Sequence, residues 1–422
     1  MKASMFNVLT SHNGKTYISN TLTKSISTID AMHQQALETN RFDTVAESLP
    51  ALKENGFVVD KDFDELGALR YAYQMSKSST EELEFVVAPT MNCNFRCTYC
   101  FENPRPGKMS EEVQNAVTEL IRQKVLQLKP KRVRYIWFGG EPLLCLDIVE
   151  NMSRILSSFM KEQKVFLDMI VITNGYLISE DVISRLEKVG VTHFQITIDG
   201  SRELHDGRRI LHNGEGTYDR ICGNLSCFSS HTATVGIRVN IDKNNLGAFR
   251  LVQDEIRKLG NSNIKCYPAL VEPASNHDED KKSSCFCNNC QAYYNSPDIA
   301  AFYSYMQLDN LGLQLCYCGA EHNHSFAVDE KGNLYKCWNT IGDPEKILST
   351  VFDSSNQNSK IAAAYLGRDP FSEEECCKCP YLPICGGGCV NQRFLNGSPS
   401  CCERKYLYDS IIRKSVDKLL SA

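Results

Sequence analysis

Cys93-Asn94-Phe95-Arg96-Cys97-Thr98-Tyr99-Cys100 puts three thiols in one short stretch, directly after the apolar run Phe85-Val86-Val87-Ala88-Pro89. A loop with this spacing can wrap three thiolates around one cubane cluster. A [4Fe–4S] cluster then keeps one iron without a protein ligand, and an open iron can bind a small chelating molecule. Further cysteines follow at regular intervals. Cys318, Gly332 and Cys337 form one set, and Cys376, Cys379, Cys385 and Cys389 another, followed by Cys401 and Cys402.

Twenty cysteines in 422 residues need a chemical reason. None precedes Cys93, and eleven fall between Cys285 and Cys389. A disulfide-rich fold tends to spread its cysteines, whereas tight clusters in a reducing compartment point to metal. A C-x2-C pair also suits tetrahedral zinc, so zinc and iron–sulfur readings both stand at this level. Cys145, Cys222, Cys227 and Cys266 fall in expected helices and strands and read as ordinary buried residues. Cys285, Cys287 and Cys290 lie in a polar stretch, as ligands or as loop thiols.

The bulk numbers exclude some classes. The net charge of −5 leaves no footprint for nucleic acid or an anionic membrane. No apolar run approaches the ~20 residues of a membrane helix. The start MKASMFNVLTSHNGKTY has no long apolar core of a secretory signal, so a cytoplasmic location is expected.

The elements that must position the thiols follow from periodicity. From Phe85 onward, strands and amphipathic helices alternate. The strands read as FVVAP, VRYIWF, LDMIVIT, HFQITID, VGIRVNI and IKCYPALV, with helices over 110–128, 146–162, 179–189 and 246–259 between them. Such alternation implies α/β architecture with parallel strands and right-handed crossovers. Six units close only partway, giving a partial (β/α)6 TIM-like barrel with functional loops at the C-terminal strand ends. Residues 1–84 read as a separate winged-helix-like unit: a hairpin around Ser11-His12-Asn13-Gly14, a helix starting near Ser27-Thr28, and a helix ended by Asn55-Gly56. Met75 to Glu82 is polar and reads as a linker. The expected domains are thus 1–84, 85–271, a linker or bridging region over 272–315, and a cysteine-organised domain over 316–422 with little regular periodicity.

C-x3-C-x2-C with Tyr99 before the last cysteine resembles the signature of radical S-adenosylmethionine (SAM) enzymes. The resemblance implies a [4Fe–4S] cluster on Cys93, Cys97 and Cys100 whose open iron binds SAM. One electron then yields a 5′-deoxyadenosyl radical that takes a substrate hydrogen. Gly139-Gly140-Glu141-Pro142 matches the family's GGEP segment and implies contacts to the SAM amino group. Thr173 and Asn174, with Thr197 and Asp199, end the third and fourth strands where the family contacts ribose and carboxylate. His205-Asp206-Gly207-Arg208-Arg209 resembles H-D-x-x-R, implying a carboxylate contact from Arg209, with Arg208 as its neighbour and Asn240 as a weaker pocket candidate. The catalytic acid or base stays unassigned.

The C-terminal cysteines resemble the SPASM extension, which carries two auxiliary [4Fe–4S] clusters, for three clusters in all. The resemblance implies Cys318, Cys337 and Cys389, with Cys316, on the first auxiliary cluster, and Cys376, Cys379 and Cys385 with Cys401 or Cys402 on the second, Cys377 being the neighbour of Cys376. Anaerobic sulfatase maturases are similar but place an aspartate base directly after the cysteine that aligns with Cys337. Here that residue is Trp338. Lys336-Cys337-Trp338-Asn339 and Cys385-Gly386-Gly387-Gly388-Cys389 instead look like thioether-forming maturases of cysteine-containing ribosomal peptides. That implies a precursor peptide whose leader docks on residues 1–84, and a flavodoxin- or ferredoxin-type electron donor. Other peptide modifications are the alternative: a C–C or C–O crosslink, epimerisation, or formylglycine formation. A radical enzyme acting on a non-peptide and a zinc scaffold are the readings furthest from it.

Overall fold

The computed structural model describes residues 1–271, 311–397 and 400–421, with Tyr294. Cys285, Cys287 and Cys290, and the expected linker up to residue 310, lie outside them. The chain forms two compact units, one of Met1–Ser78, Ala300–Glu321 and Gly367–Ala422, the other of Ser79–Ile299 and His322–Leu366. The stretch from 316 onward is therefore divided between them.

The first unit begins with five short strands: β1 (Lys2–Ala3), β2 (Asn7–His12), β3 (Lys15–Asn20), β4 (Ile26–Ile29) and β5 (Val58–Val59). Asn13 and Gly14, at φ 49° and 73°, make the two-residue turn that brings β2 against β3. β2, β3 and β4 form one antiparallel sheet, and β1 pairs with β5. Three helices follow the strands: α1 (Ala31–Thr39), α2 (Leu49–Glu54) and α3 (Glu65–Lys77). Ile18, Ile29, Leu37, Leu52 and Phe57 pack together as their core.

Two local expectations need correction. Ser27 and Thr28 pair in β4 rather than opening a helix. Asp30 caps α1 instead, its carboxylate accepting from the His33 amide at 2.9 Å. Met75 to Lys77 are the last turn of α3, not linker. Polar letters hide this because α3 turns Leu69 and Tyr73 inward against Phe371, and Lys77 is only 6% exposed, its ammonium donating to the Arg368 carbonyl at 3.3 Å. The cysteine-rich C-terminus is also more regular than expected. Glu403–Ser421 is a long helix, burying Leu407, Tyr408, Ile411, Ile412 and Val416 along one face.

The second unit carries the parallel sheet: β6 (Glu82–Val87), β7 (Arg132–Trp137), β8 (Phe166–Thr173), β9 (Val191–Thr197), β10 (Thr234–Ile241) and β11 (Ile264–Leu270). Consecutive strands are neighbours in order and all pair in parallel. Helices α4 (Glu111–Leu128), α5 (Leu146–Gln163) and α6 (Glu180–Lys188), then α7 (Arg202–Asp206), α8 (Tyr218–Leu225) and α9 (Ala248–Lys258), occupy the crossovers. Ser110 and Ser179 cap α4 and α6 through the amides of Val113 and Val182. The sheet is wider than six strands. β12 (Ser325–Val328) adds in parallel beside β6, and β13 (Asn333–Tyr335) and β14 (Ser349–Thr350) extend it antiparallel. Val86, Ile136, Ile170, Ala327 and Tyr335 meet in one cluster, with Phe138 and Ile172 packed against it. Among the described residues, no helix is long and apolar enough to cross a membrane.

Candidate functional site

The three-cysteine loop follows β6 and is held from two sides. Its own backbone pairs with the segment after α7: Arg96 N–H donates to the Ile210 carbonyl at 2.8 Å, Thr98 N–H to Arg208 at 2.9 Å, and His212 N–H to Asn94 at 3.0 Å. The H-D-x-x-R segment and the cysteine loop are thus one piece of structure. On the other side, Gly140 N–H donates to Thr90 at 3.2 Å and Glu141 N–H to Asn92 at 2.9 Å.

That approach explains the paired glycines. A Cβ on Gly139, whose φ is +102°, would lie 2.5 Å from the Thr90 carbonyl and 2.7 Å from Ala88 Cβ. A Cβ on Gly140 would lie 2.6 Å from the Met91 carbonyl and collide with that of Asn92. The glycines therefore let the β7 loop close against the strand that delivers the thiols. Glu141 is fully buried and ties three loops together. Its carboxylate accepts from Thr173 Oγ1 at 2.7 Å, the Asn174 amide at 2.8 Å and the Leu143 amide at 3.0 Å. Asn174 in turn donates from Nδ2 to Asn94 Oδ1 at 2.8 Å, beside Cys93.

Asp199, Arg209 and Asn240 converge on the Tyr99 hydroxyl. It donates to the Asp199 carboxylate and accepts from Arg209 Nη1 at 2.7 Å and Asn240 Nδ2 at 3.0 Å. Arg208 reaches Asp242 at 2.9 Å and Asp199 at 3.5 Å. His205 is fully buried. Its Nδ1 accepts the Asp199 amide at 3.3 Å, so the proton sits on Nε2, 3.0 Å from Thr217 Oγ1. Burial, then the charges of Arg209 and Arg208, lower its pKa to about 3, so it stays neutral. Asp206 caps the next helix through the amides of Thr217 and Tyr218, at 2.7 and 2.9 Å. The His-Asp pair is therefore a brace for the arginines.

These residues fit the group that the cysteine spacing implies. Cys93, Cys97 and Cys100 lie close enough for each thiol to feel another's charge. Burial, then Glu141, pushes the Cys93 thiol up to about 12, and burial raises Cys97 and Cys100 too. Thiols that hold their protons in the bare loop release them on binding metal. Beside them, Arg209 Nε and Arg208 Nη2 are buried donors without a hydrogen-bond partner among the described residues, which a carboxylate-bearing ligand would satisfy. Glu102 Oε1 is likewise buried and unpartnered. Burial, then Glu141, raises its pKa to about 8. Among the described residues no three His, Cys, Asp or Glu side chains converge on a single metal-ion point; a cubane spreads its thiolates around several irons.

The second auxiliary set lies in the first unit. Cys385 and Cys401 are in hydrogen-bond contact, and the charge of Cys401 reaches Cys376 and Cys379. Cys402 is buried with its thiol 3.7 Å from the Ile384 carbonyl, and it also touches Cys385. Cys377 points elsewhere, donating to the Phe371 carbonyl at 2.7 Å. Cys316 is buried beside Phe6, Leu69 and Cys376, while Cys318 is exposed. Cys318 and Cys389 belong to the first unit and Cys337 to the second. Of the cysteines expected to be plain core, Cys145 is buried and Cys222, Cys227 and Cys266 are half-buried. Those three sit where helix and strand meet solvent, which apolar spacing alone does not reveal. Lys405, whose ammonium donates to Cys401 Sγ at 3.4 Å, is a site residue the cysteine pattern missed. It stands four residues past Cys401 at the start of a helix, a spacing only helix recognition could expose.

Residues 87–246 match the family model of the radical SAM superfamily, and the chain is a radical SAM enzyme through this domain. Among the relatives is the cysteine-type anaerobic sulfatase-maturating enzyme of Clostridium novyi, 22% identical over 370 residues that span 80% of this chain and 96% of the relative. Among solved structures, a sulfatase-maturase structure with bound AdoMet ("anSMEcpe") superposes with TM-score 0.61 at 18% identity, covering 81% of this chain and 94% of that one. Streptococcus suis SuiB covers 95% of this chain and 98% of its own, with TM-score 0.53 and 15% identity. The last two share the fold.

Proposed function

We propose that this chain is a peptide maturase that installs an intramolecular thioether, from a cysteine sulfur to a carbon, in a ribosomally made precursor peptide. The observation that carries the radical step is the loop of Cys93, Cys97 and Cys100 braced beside the unsatisfied donors of Arg208 and Arg209. With a [4Fe–4S] cluster on those thiols and SAM on its open iron, one electron would break a carbon–sulfur bond of SAM and give the 5′-deoxyadenosyl radical. The protein's part is placement. Arg209 and Arg208 hold the methionine carboxylate, Glu141 fixes the loop of Thr173 and Asn174, and Asp199 with Tyr99 keeps Arg209 in place.

A peptide substrate is supported by the relatives' names. The C. novyi relative is a sulfatase-maturating enzyme, and the S. suis protein has a structure bound to its precursor peptide SuiA. The sheet β2–β3–β4 leaves β2 and β4 as edges, where a leader strand can add by main-chain pairing. Auxiliary [4Fe–4S] clusters are assigned to Cys376, Cys379, Cys385 and Cys401, and to Cys318, Cys337 and Cys389. A flavodoxin- or ferredoxin-type protein is the electron donor in this reading. The thioether product loses two hydrogens: one leaves with 5′-deoxyadenosine, the thiol proton goes to solvent, and the auxiliary clusters accept the remaining electron.

Formylglycine formation is the second reading, favoured by the sulfatase-maturating relatives. Trp338 in place of an aspartate after Cys337 speaks against it. Mass spectrometry of a precursor peptide incubated with reduced holoenzyme separates them. A product two hydrogens lighter and resistant to thiol alkylation supports the crosslink. Unchanged mass with one inverted stereocentre assigns epimerisation, and a cysteine converted to formylglycine assigns the sulfatase-type reaction.

A further inference from the structure

Phe101, Phe138 and Trp338 form a column of three rings. Phe138 stacks on Phe101 with centroids 6.3 Å apart and planes 15° apart, and on Trp338 at 5.8 Å and 20°. These are offset-stacked geometries. Each ring adjoins a residue already placed at the site: Phe101 follows Cys100, Phe138 precedes Gly139, and Trp338 follows Cys337. Phe138 stands two residues beyond Ile136, and alternate residues of a strand share a face. Both pack in the cluster between the strands, so the column rises from the barrel interior at the C-terminal strand ends. Phe101 and Phe138 are half-buried. Trp338 ends the column and is 36% exposed.

A large indole left open at the mouth of a reaction site is surface that a ligand can cover. We propose that Trp338 is a substrate-positioning residue whose indole receives an apolar side chain of the peptide (aromatic, branched aliphatic or thioether) next to the carbon that loses its hydrogen. This rests on the peptide reading above and adds the side-chain class. The column offers ring faces and one indole N–H, so a carboxylate or an amide would lose hydration there without regaining its hydrogen bonds.

A phage-displayed library of random peptides with one fixed cysteine, panned on the reconstituted holoenzyme with SAM, tests it. The selected peptides should carry Phe, Tyr, Leu, Ile or Met at one fixed offset from the cysteine. A selected synthetic peptide should bind Trp338→Ala about tenfold more weakly, ~1.4 kcal/mol, and Trp338→Phe should regain most of the loss. Iron content reports that each variant has folded; if Trp338→Ala loses iron, Trp338→Leu, which keeps bulk without a ring, takes its place. Selection of no peptide overturns the peptide reading and this proposal with it. Peptides selected without apolar preference, enriched in Lys, Arg, Asp or Glu, or held equally by the variant overturn the role of Trp338 alone and leave the peptide reading standing.

Discussion

Gly140→Ala is the sharpest test of how the site is built. The added Cβ would lie 2.6 Å from the Met91 carbonyl and would collide with that of Asn92, both backbone atoms that no rotamer change can move. Either the β7 loop or the stretch leading into Cys93 must shift. Overpacking of this kind costs about 1–3 kcal/mol, which corresponds to a midpoint lowered by roughly 2–10 °C for a unit of this size. The shift falls on the hydrogen bond from Glu141 N–H to Asn92, one residue before the first cysteine. Cluster loading should therefore suffer more than global stability. The assay is anaerobic reconstitution followed by iron determination, with thermal denaturation in parallel. A variant that reconstitutes to the wild-type iron content, melts at the wild-type temperature and cleaves SAM at the wild-type rate would refute the claim that these glycines exist to seat the cysteine loop.

Other outcomes follow from the same structure. Lys405→Met removes a cation that donates to Cys401 at 3.4 Å, so the auxiliary cluster on that thiol should become harder to reduce; a redox titration by electron paramagnetic resonance should show a lower potential. Arg368→Met strands the buried Glu321 carboxylate, its ion-pair partner. Thermal or denaturant unfolding should show a loss of about 3–5 kcal/mol, partly restored when Glu321 is replaced as well. His231 sits between Glu187 and Glu180 at 2.7 and 2.9 Å. Burial opposes its charge, but those contacts outweigh burial and raise its pKa. Its contribution is complete below the unfolded value of ~6.5 and fades as pH rises through the higher folded value. His231→Gln should flatten stability against pH across that window and change little far above it.

The parallel sheet was readable because each buried strand is a short apolar run between amphipathic helices, as in Val133 to Trp137 before the GGEP segment. β12 escaped because four residues, Ser325 to Val328, carry no period of their own, and their place beside β6 is set by pairing. The long C-terminal helix escaped because the cysteines before it suggested irregular structure, although Leu407, Ile411 and Ile412 keep helical spacing. At the site, residue types pointed to the thiols and the arginines. They could not reveal that Glu141 is buried among Thr173, Asn174 and Leu143, or that Tyr99 is the hub joining Asp199, Arg209 and Asn240. Those contacts join segments up to 141 residues apart, and only the closed barrel brings them together.

The central claim is that Cys93, Cys97 and Cys100 hold the centre that cleaves SAM. Its most direct test is 5′-deoxyadenosine formation by the anaerobically reconstituted, dithionite-reduced protein incubated with SAM, measured for the wild type and for Cys97→Ala. The account predicts 5′-deoxyadenosine from the wild type, and none from the variant, together with a loss of about four irons per chain. Equal 5′-deoxyadenosine from both proteins, or none from a wild type loaded with its full iron, would contradict it.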